Sequence, residues 1–341
     1  MTIKICVITE KRTDAINIVN EALIDNLRIQ KKQIKVISFN NKPFSLASLN
    51  FLIEIINTIR LIFLIDKEDT LLFTDPLSFN TLASLFVHNK KYVVFYHYEK
   101  DPFYYKVLPS ISYSTVLNSF DGIMCISKFT FSQLKTLHIN IEKCKVVYCG
   151  VDHKLFKPSL CRLFDYDYIL SVGSEEPRKN MKNIMKTMQI LRNDYPNIKL
   201  LKVGKANDQN RKRTISYVKK YGLSECVIFT DYVEEADLPK VYSGAQLLLF
   251  PSLLEGFGLP VVEAMSCGCP VVTSNINPMK ELVGVEQKTV NPNKPIEMAA
   301  ECKKILQNNK YRNTIIRNGL KRGKMFNWTT TAKEVLKFIG Y

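Results

Sequence analysis

Residues 251–281 read PSLLEGFGLPVVEAMSCGCPVVTSNINPMKE, and this stretch decides the fold. The apolar run leading into it, AQLLLFPS, has the length and composition of a buried strand that ends near Ser252. LLEGFGL follows as a loop, Pro260 suits the first position of a short helix, and Gly268 suits its end. Val271, Val272 and Thr273 then begin the next strand, which completes a βαβ unit. Open parallel sheets bind ligands at the carboxyl ends of their strands, where this glycine-containing turn lies. Glu255 falls in the loop and Glu263 on the first helical turn, so both carboxylates are expected at one cleft, with helix amides directed into it. Carboxylates accept from sugar hydroxyls and amides donate to phosphate oxygens, so a hydroxyl-rich, phosphate-bearing ligand suits such a site.

Working outward, the same alternation runs through the chain. Strand-like IKICVIT, a helix through NIVNEALIDNLR and strand-like IKVISF open it. A helix over 48–63, a strand at TLLFTD, a helix near 79–88 and a strand at YVVFYH follow. DGIMCIS, FTFSQLKTLH and KCKVVYCGVD add strand, helix and strand, after which 153–167 breaks the pattern and reads as a linker. The alternation restarts at YILSVGS and continues to the helix NWTTTAKEVLKFI, for which Asn327 is a plausible cap. Strands alternating with helices predict an α/β protein with doubly wound parallel sheets. Two Rossmann-like domains are expected, 1–156 and 157–327, with 328–341 as a terminal helix.

The chain has 341 residues, 46% hydrophobic and 23% charged, which is a globular composition able to form two cores. Its most apolar stretch, 51–65, carries Glu54, Asn57 and Arg60 and reads as a helix covering a sheet, not a membrane span. Nine cysteines without scaffold spacing suit a reducing cytoplasm, and Cys267 and Cys269 read as packing residues rather than metal ligands. The net charge of +16 divides unevenly, +5 over 1–156 and +11 over 157–341. Such an excess fits nucleotide sugars, an anionic bilayer or nucleic acid. Zinc spacing, an RNP-like strand and a helix-turn-helix signature are all missing, which argues against nucleic acid. The basic helices at 211–220 and 303–324 suit either an anionic membrane surface or solvated faces.

A second loop carries cations. SVGSEEPRKN, residues 171–180, places Gly173 at a strand end and Arg178 and Lys179 where a helix begins, an arrangement that stabilises a diphosphate gaining charge as a sugar departs. Together, EGFGLPVVE and PRKN resemble the donor-sugar signature of retaining glycosyltransferases of the GT-B fold, family 4 or group 1, in its mannosyltransferase-like branch. The resemblance runs strongly from about residue 120 to 341 and weakly before that. It implies two Rossmann-like domains facing a central cleft, the nucleotide sugar on the second and the acceptor on the first. It implies that Glu255 holds sugar hydroxyls, that Phe257, Gly258 and Leu259 lend backbone amides, and that Glu263 accepts from ribose hydroxyls. Arg178 and Lys179 would neutralise the leaving diphosphate. VGKAND and FTDYVEEADLPKVYSGA resemble the walls of the base pocket, with Gly204, Tyr232 and Val233 at strand ends. His97, closing the strand YVVFYH, would stand near the reacting sugar. The resemblance further implies retention at the anomeric centre and a terminal helix that returns to the first domain. With no Asp-x-Asp pair of the kind that carries a divalent cation, no metal or other cofactor is expected.

Three positions depart from the family pattern. Tyr98 stands where an Asp often follows the histidine, with Asp101 the nearest carboxylate. Ser174 replaces a common arginine, for which Arg178 would substitute. The segment after the first strand, ITEKRTDAIN, lacks a glycine pair, leaving Lys11 and Arg12 to supply charge. The expected partners are a nucleotide-sugar donor and a glycan or lipid-linked acceptor, in the cytoplasm and peripherally at the inner face of a membrane. The alternatives are a catalytically inactive partner subunit or a nucleotide-sugar epimerase on the same fold.

Overall fold

The structure, a computed structural model of the chain, describes residues 4–10, 15–30, 33–39, 47–75, 79–96 and 112–341. It divides into two compact units, Met1–Gly150 with Trp328–Tyr341, and Val151–Asn327. The division thus comes ahead of the boundary drawn at residue 156, and the terminal segment groups with the first unit.

In the first unit, strands β1 (Ile5–Glu10), β2 (Ile34–Phe39), β3 (Thr70–Phe73), β4 (Lys91–Phe95), β5 (Gly122–Cys125) and β6 (Cys144–Val146) form a parallel sheet in the order β2-β1-β3-β4-β5-β6. Register is set by pairs such as Val7 opposite Val36 and Leu72. Strands 70–73 and 122–125 are buried throughout, as sheets covered on both faces require. Helices α1 (Ala15–Gln30), α2 (Ala47–Leu64), α3 (Tyr113–Asn118) and α4 (Lys128–Thr136) connect them. The segment expected as a helix near 79–88 is instead a 3-10 turn over Phe79–Leu85. One core gathers Leu61, Leu71, Phe73, Phe95, Phe120 and Leu134.

The second unit carries β7 (Tyr168–Val172), β8 (Lys199–Val203), β9 (Val227–Thr230), β10 (Leu247–Phe250) and β11 (Val271–Thr273), all parallel, in the order β11-β10-β7-β8-β9. Its helices are α5 (Met181–Leu191), α6 (Asp208–Lys220), α7 (Leu238–Gly244), α8 (Leu259–Ser266), α9 (Met279–Val283), α10 (Pro295–Gln307) and α11 (Asn309–Gly323). The basic segment following α10 is therefore a helix, capped by the Asn308 side chain on the Tyr311 amide. Met185, Met188, Leu200, Leu247, Leu249 and Met298 fill the core between sheet and helices.

The last helix, α12 (Trp328–Phe338), packs on α1 within the first unit. Trp328, Thr331, Ala332, Val335 and Leu336 form its buried stripe, spaced three and four apart as a helix demands. Gly122 leaves room for the Phe338 ring, since a Cβ there would stand 2.7 Å from it. Among the described residues no helix is long and apolar enough to cross a membrane.

Strand order determines where the second unit can hold a ligand. The chain runs outward from β7 through β8 to β9, then returns to the other side of β7 with β10. The loops leaving the carboxyl ends of β7 and β10 therefore part in opposite directions and leave a crevice between them. Residues 173–180 and 251–258 form its two sides.

Candidate active site

The two loops are stitched together by backbone and side chain. The Leu253 amide donates to the Arg178 carbonyl at 2.7 Å. Asn180, in the left-handed region at φ 63°, donates from its side-chain amide to the carbonyls of Pro251 at 3.0 Å and Pro292 at 2.7 Å. Asparagine tolerates that conformation better than most residues and fills both donor positions here. Arg178 and Lys179 lie on a 3-10 turn, Pro177–Lys179, one residue ahead of α5, at the helix start where the sequence expected them. Asn180 is what separates them from it.

Both cations converge on Glu255. Lys179 Nζ lies 2.6 Å from Oε1 and Arg178 Nη1 lies 3.2 Å from Oε2. Glu255 is only 7% exposed, so this is a charge cluster with little solvent to screen it. Arg178 Nε also holds Glu176 at 2.7 Å. Lys179 Nζ lies 5.0 Å from the centre of the Phe250 ring, and its stalk passes 3.5 Å from where a Gly173 Cβ would be. A carboxylate between two cations can accept from hydroxyls, while the cations can turn to an anionic group arriving beside it.

Gly173 and Gly204 abut. Both have positive φ, 122° and 118°, and a Cβ on Gly204 would come within 2.4 Å of the Gly173 carbonyl oxygen. Gly204→Ala is therefore expected to cost roughly 2–4 kcal/mol from combined strain and overlap. Urea melts of the purified variant measure it, and a loss below the error of the melt would contradict the packing described.

Gly258 caps the start of α8 at φ 108°, and a Cβ there would sit 2.4 Å from Met279 Cε. Leu259 and Pro260 open the helix, and Cys267 and Gly268 (φ 71°) close it. The Phe257 side chain is buried and meets Phe326 edge-on at 5.7 Å, so its ring belongs to the core. Glu263 lies on the second turn of α8 rather than the first, because the helix begins at Leu259. Its Oε2 accepts from the Tyr242 hydroxyl at 2.6 Å.

Burial raises the Glu263 carboxyl from 4.5 to about 7, against the opposing pull of the Tyr242 hydrogen bond. Between those values the unfolded chain releases a proton that the folded chain keeps. Stability from this group is thus full below about pH 4.5 and is lost as pH rises through about 7. Glu263→Gln is expected to gain about 1–3 kcal/mol on the wild type across that window. Parallel stability-versus-pH curves for the two proteins would contradict it.

The remaining sequence candidates scatter. Tyr232 is 72% exposed and bonds Glu234 within its own loop at 3.1 Å, and Val233 beside it is half-buried. Neither touches the Glu255 cluster in the contacts observed. His97, Tyr98, Asp101, Lys11 and Arg12 lie outside the described residues. Cys267 and Cys269 are buried, and burial pushes the Cys269 thiol up to about 12. Among the described residues, no group of three His, Cys, Asp or Glu side chains is placed to hold a metal ion.

The structure adds residues that motif reading passed over. Glu175, fully buried, is held by Arg211 Nη2 at 2.8 Å and Nε at 2.9 Å. Arg211 also reaches Asp231 at 2.6 Å and stacks over Phe229 at 4.5 Å. The first residue of the basic 211–220 stretch therefore faces inward, whereas Lys212, Lys219 and Lys220 are exposed. Lys202, 1% exposed, lies inside β8. The one hint in the sequence was a second lysine within the strand KLLKV, flanked directly by Leu201 and Val203.

Comparison with known proteins gives relatives in sequence and in fold. The chain is 31% identical over 236 residues to the O-antigen chain mannosyltransferase B of Escherichia coli, covering 64% of this chain and 60% of that one. It is 32% identical over 171 residues to the serotype-specific mannosyltransferase WbdA of the same organism, covering 49% of this chain and 21% of that one. The chain thus spans 60% and 21% of the lengths of these two relatives. Among solved structures, a sucrose-phosphate synthase from Thermosynechococcus elongatus superposes with a TM-score of 0.81 at 18% identity, covering 98% of each chain. Anabaena HepE, in complex with UDP and glucose, superposes at 0.77 and 18% identity, again over 98% of each. The architecture is therefore the GT-B fold. Residues 162–322, which contain both loops of the site, match the family described as Glycosyl transferases group 1.

Proposed function

We propose that the chain transfers a hexose from a nucleoside-diphosphate sugar to a hydroxyl of a glycan or lipid-linked saccharide, with retention at the anomeric carbon. The observation that carries this reading is Glu255 held by Lys179 and Arg178 at the switch point of the second sheet. The mannosyltransferase relatives favour mannose as the sugar and a surface polysaccharide as its destination.

On this reading the diphosphate lies over Gly173 against Lys179 and Arg178, and Glu255 accepts from sugar hydroxyls. Glu263 takes the ribose hydroxyls once ionised. Departure of the sugar places a further negative charge on the leaving phosphate. The two cations beside Glu255 turn to that charge and stabilise it, since positive groups held close to developing negative charge lower a barrier. The acceptor hydroxyl attacks from the face the phosphate leaves, and its proton passes to a phosphate oxygen. No resident metal is assigned to this step; Arg178 and Lys179 supply the positive charge.

A thermal-shift screen against UDP-, GDP-, ADP- and dTDP-sugars tests the donor, with and without a chelator. A donor at about a hundred times its Kd should stabilise the protein by roughly 2.7 kcal/mol. Turnover of the binding donor, with the product anomer read by NMR, tests the chemistry. No stabilisation by any donor would favour the inactive-subunit reading, and loss of turnover on chelation would return a metal to the mechanism.

A further inference from the structure

Lys202 is an anomaly within its strand. Parallel strands covered on both faces are built from apolar residues, and a fully buried lysine is rare without partners. Its three ammonium hydrogens are met by three carbonyls, Gly173 at 2.6 Å, Val203 at 3.1 Å and Gly204 at 3.3 Å. These carbonyls end β7 and β8, so one buried cation ties together the two glycine turns that abut.

The position of Gly173 gives this arrangement a consequence for ligand binding. Lys202 Nζ donates to its carbonyl, and Lys179 Nζ would lie 3.5 Å from a Cβ placed on it. Gly173 thus has two ammonium groups beside it. Carbonyl oxygens at the carboxyl edge of a sheet repel an approaching phosphate; a cation bonded to them offsets that repulsion and adds positive potential.

We propose that Lys202 is a positioning residue for the nucleoside-diphosphate donor: it locks the Gly173 and Gly204 turns together and places a buried positive charge beneath the diphosphate. The assignment rests on the donor site proposed above and extends it to a residue that touches no substrate.

The charges around Lys202 make the role titratable. Glu175 faces it from the loop after β7 at 3.9 Å, Arg211 from α6, Lys179 from the 3-10 turn and Asp231 from the end of β9. Burial dominates and lowers the Lys202 ammonium from 10.5 to about 8, with Glu175 opposing. Above that pH the charge beneath the diphosphate is lost.

The test is calorimetric titration of the full chain with GDP and with UDP between about pH 7.5 and about pH 9.0, where Glu263 is already mostly ionised. Wild-type Kd for the nucleotide that binds should rise about three- to tenfold across that window. Lys202→Met, whose stalk fills the same space, should bind about tenfold more weakly at the lower pH and show a flat profile. Glu175→Gln removes the charge that holds the proton on Lys202, so its profile should break at lower pH than the wild type. A Lys202→Met profile parallel to that of the wild type, or a Glu175→Gln break at unchanged pH, would overturn the assignment while leaving the donor site standing. Failure of both nucleotides to bind the wild type at either pH would overturn the two together.

Discussion

Glu255→Ala is expected to lower turnover by roughly 10²–10³ while leaving nucleoside-diphosphate affinity unchanged or higher. The two effects separate because Glu255 does two things. In the proposed function it accepts from the sugar, so its loss should remove contacts that orient the anomeric carbon. It also neutralises Lys179 at 2.6 Å and Arg178 at 3.2 Å, so its loss frees two cations for the diphosphate. Removing the carboxylate from a largely buried cluster should also destabilise the free protein, by about 1–3 kcal/mol, since Arg178 is about a third exposed and keeps Glu176. Steady-state kinetics, calorimetry with GDP and UDP, and a urea melt together measure all three effects. Retained turnover would remove Glu255 from the site. Weakened nucleotide binding would mean that its partnership with the cations organises the phosphate site instead of competing with it.

Lys179→Ala should move nucleotide affinity the other way. Its side chain is largely buried beside Phe250 and Gly173, where its charge acts through little water. Turnover should fall by roughly 10²–10³, and nucleoside-diphosphate binding should weaken about tenfold or more. Lys179→Arg is not expected to rescue fully, because a planar guanidinium does not fit where one ammonium threads between a ring and a glycine turn. The opposite signs for Glu255→Ala and Lys179→Ala in nucleotide binding form the strongest joint test of the donor site. Binding lowered equally by both would point to general disruption of the crevice.

Much of the fold was readable from local pattern. AQLLLFPS, YILSVGS and IKLLKVG are too apolar and too short for anything but buried parallel strands, and each became one. The amphipathic period over 328–338 produced the terminal helix, and Pro260 with Gly268 bracketed α8 closely. One misreading occurred where one residue of backbone conformation decides the outcome: Gly258 at positive φ lets the helix start at Leu259, which moves Glu263 to the second turn. Asn180 at positive φ likewise puts a 3-10 turn under Arg178 and Lys179 ahead of α5. Neither angle can be inferred from hydrophobic periodicity.

Residue type and spacing therefore suffice for the strands, the helices and the chemical character of each loop, because these depend on neighbours a few positions away. They also single out Glu255, Arg178 and Lys179 as residues suited to one ligand. That these three meet depends on strand order: β10 returns beside β7 and brings together loops more than seventy residues apart. The charge cluster of Lys202, Glu175 and Arg211 is likewise a product of the assembled sheet. Only packing could show that a lysine inside a strand, a glutamate in a loop and an arginine on a basic helix are partners, because the assembled sheet buries Glu175 beside both cations.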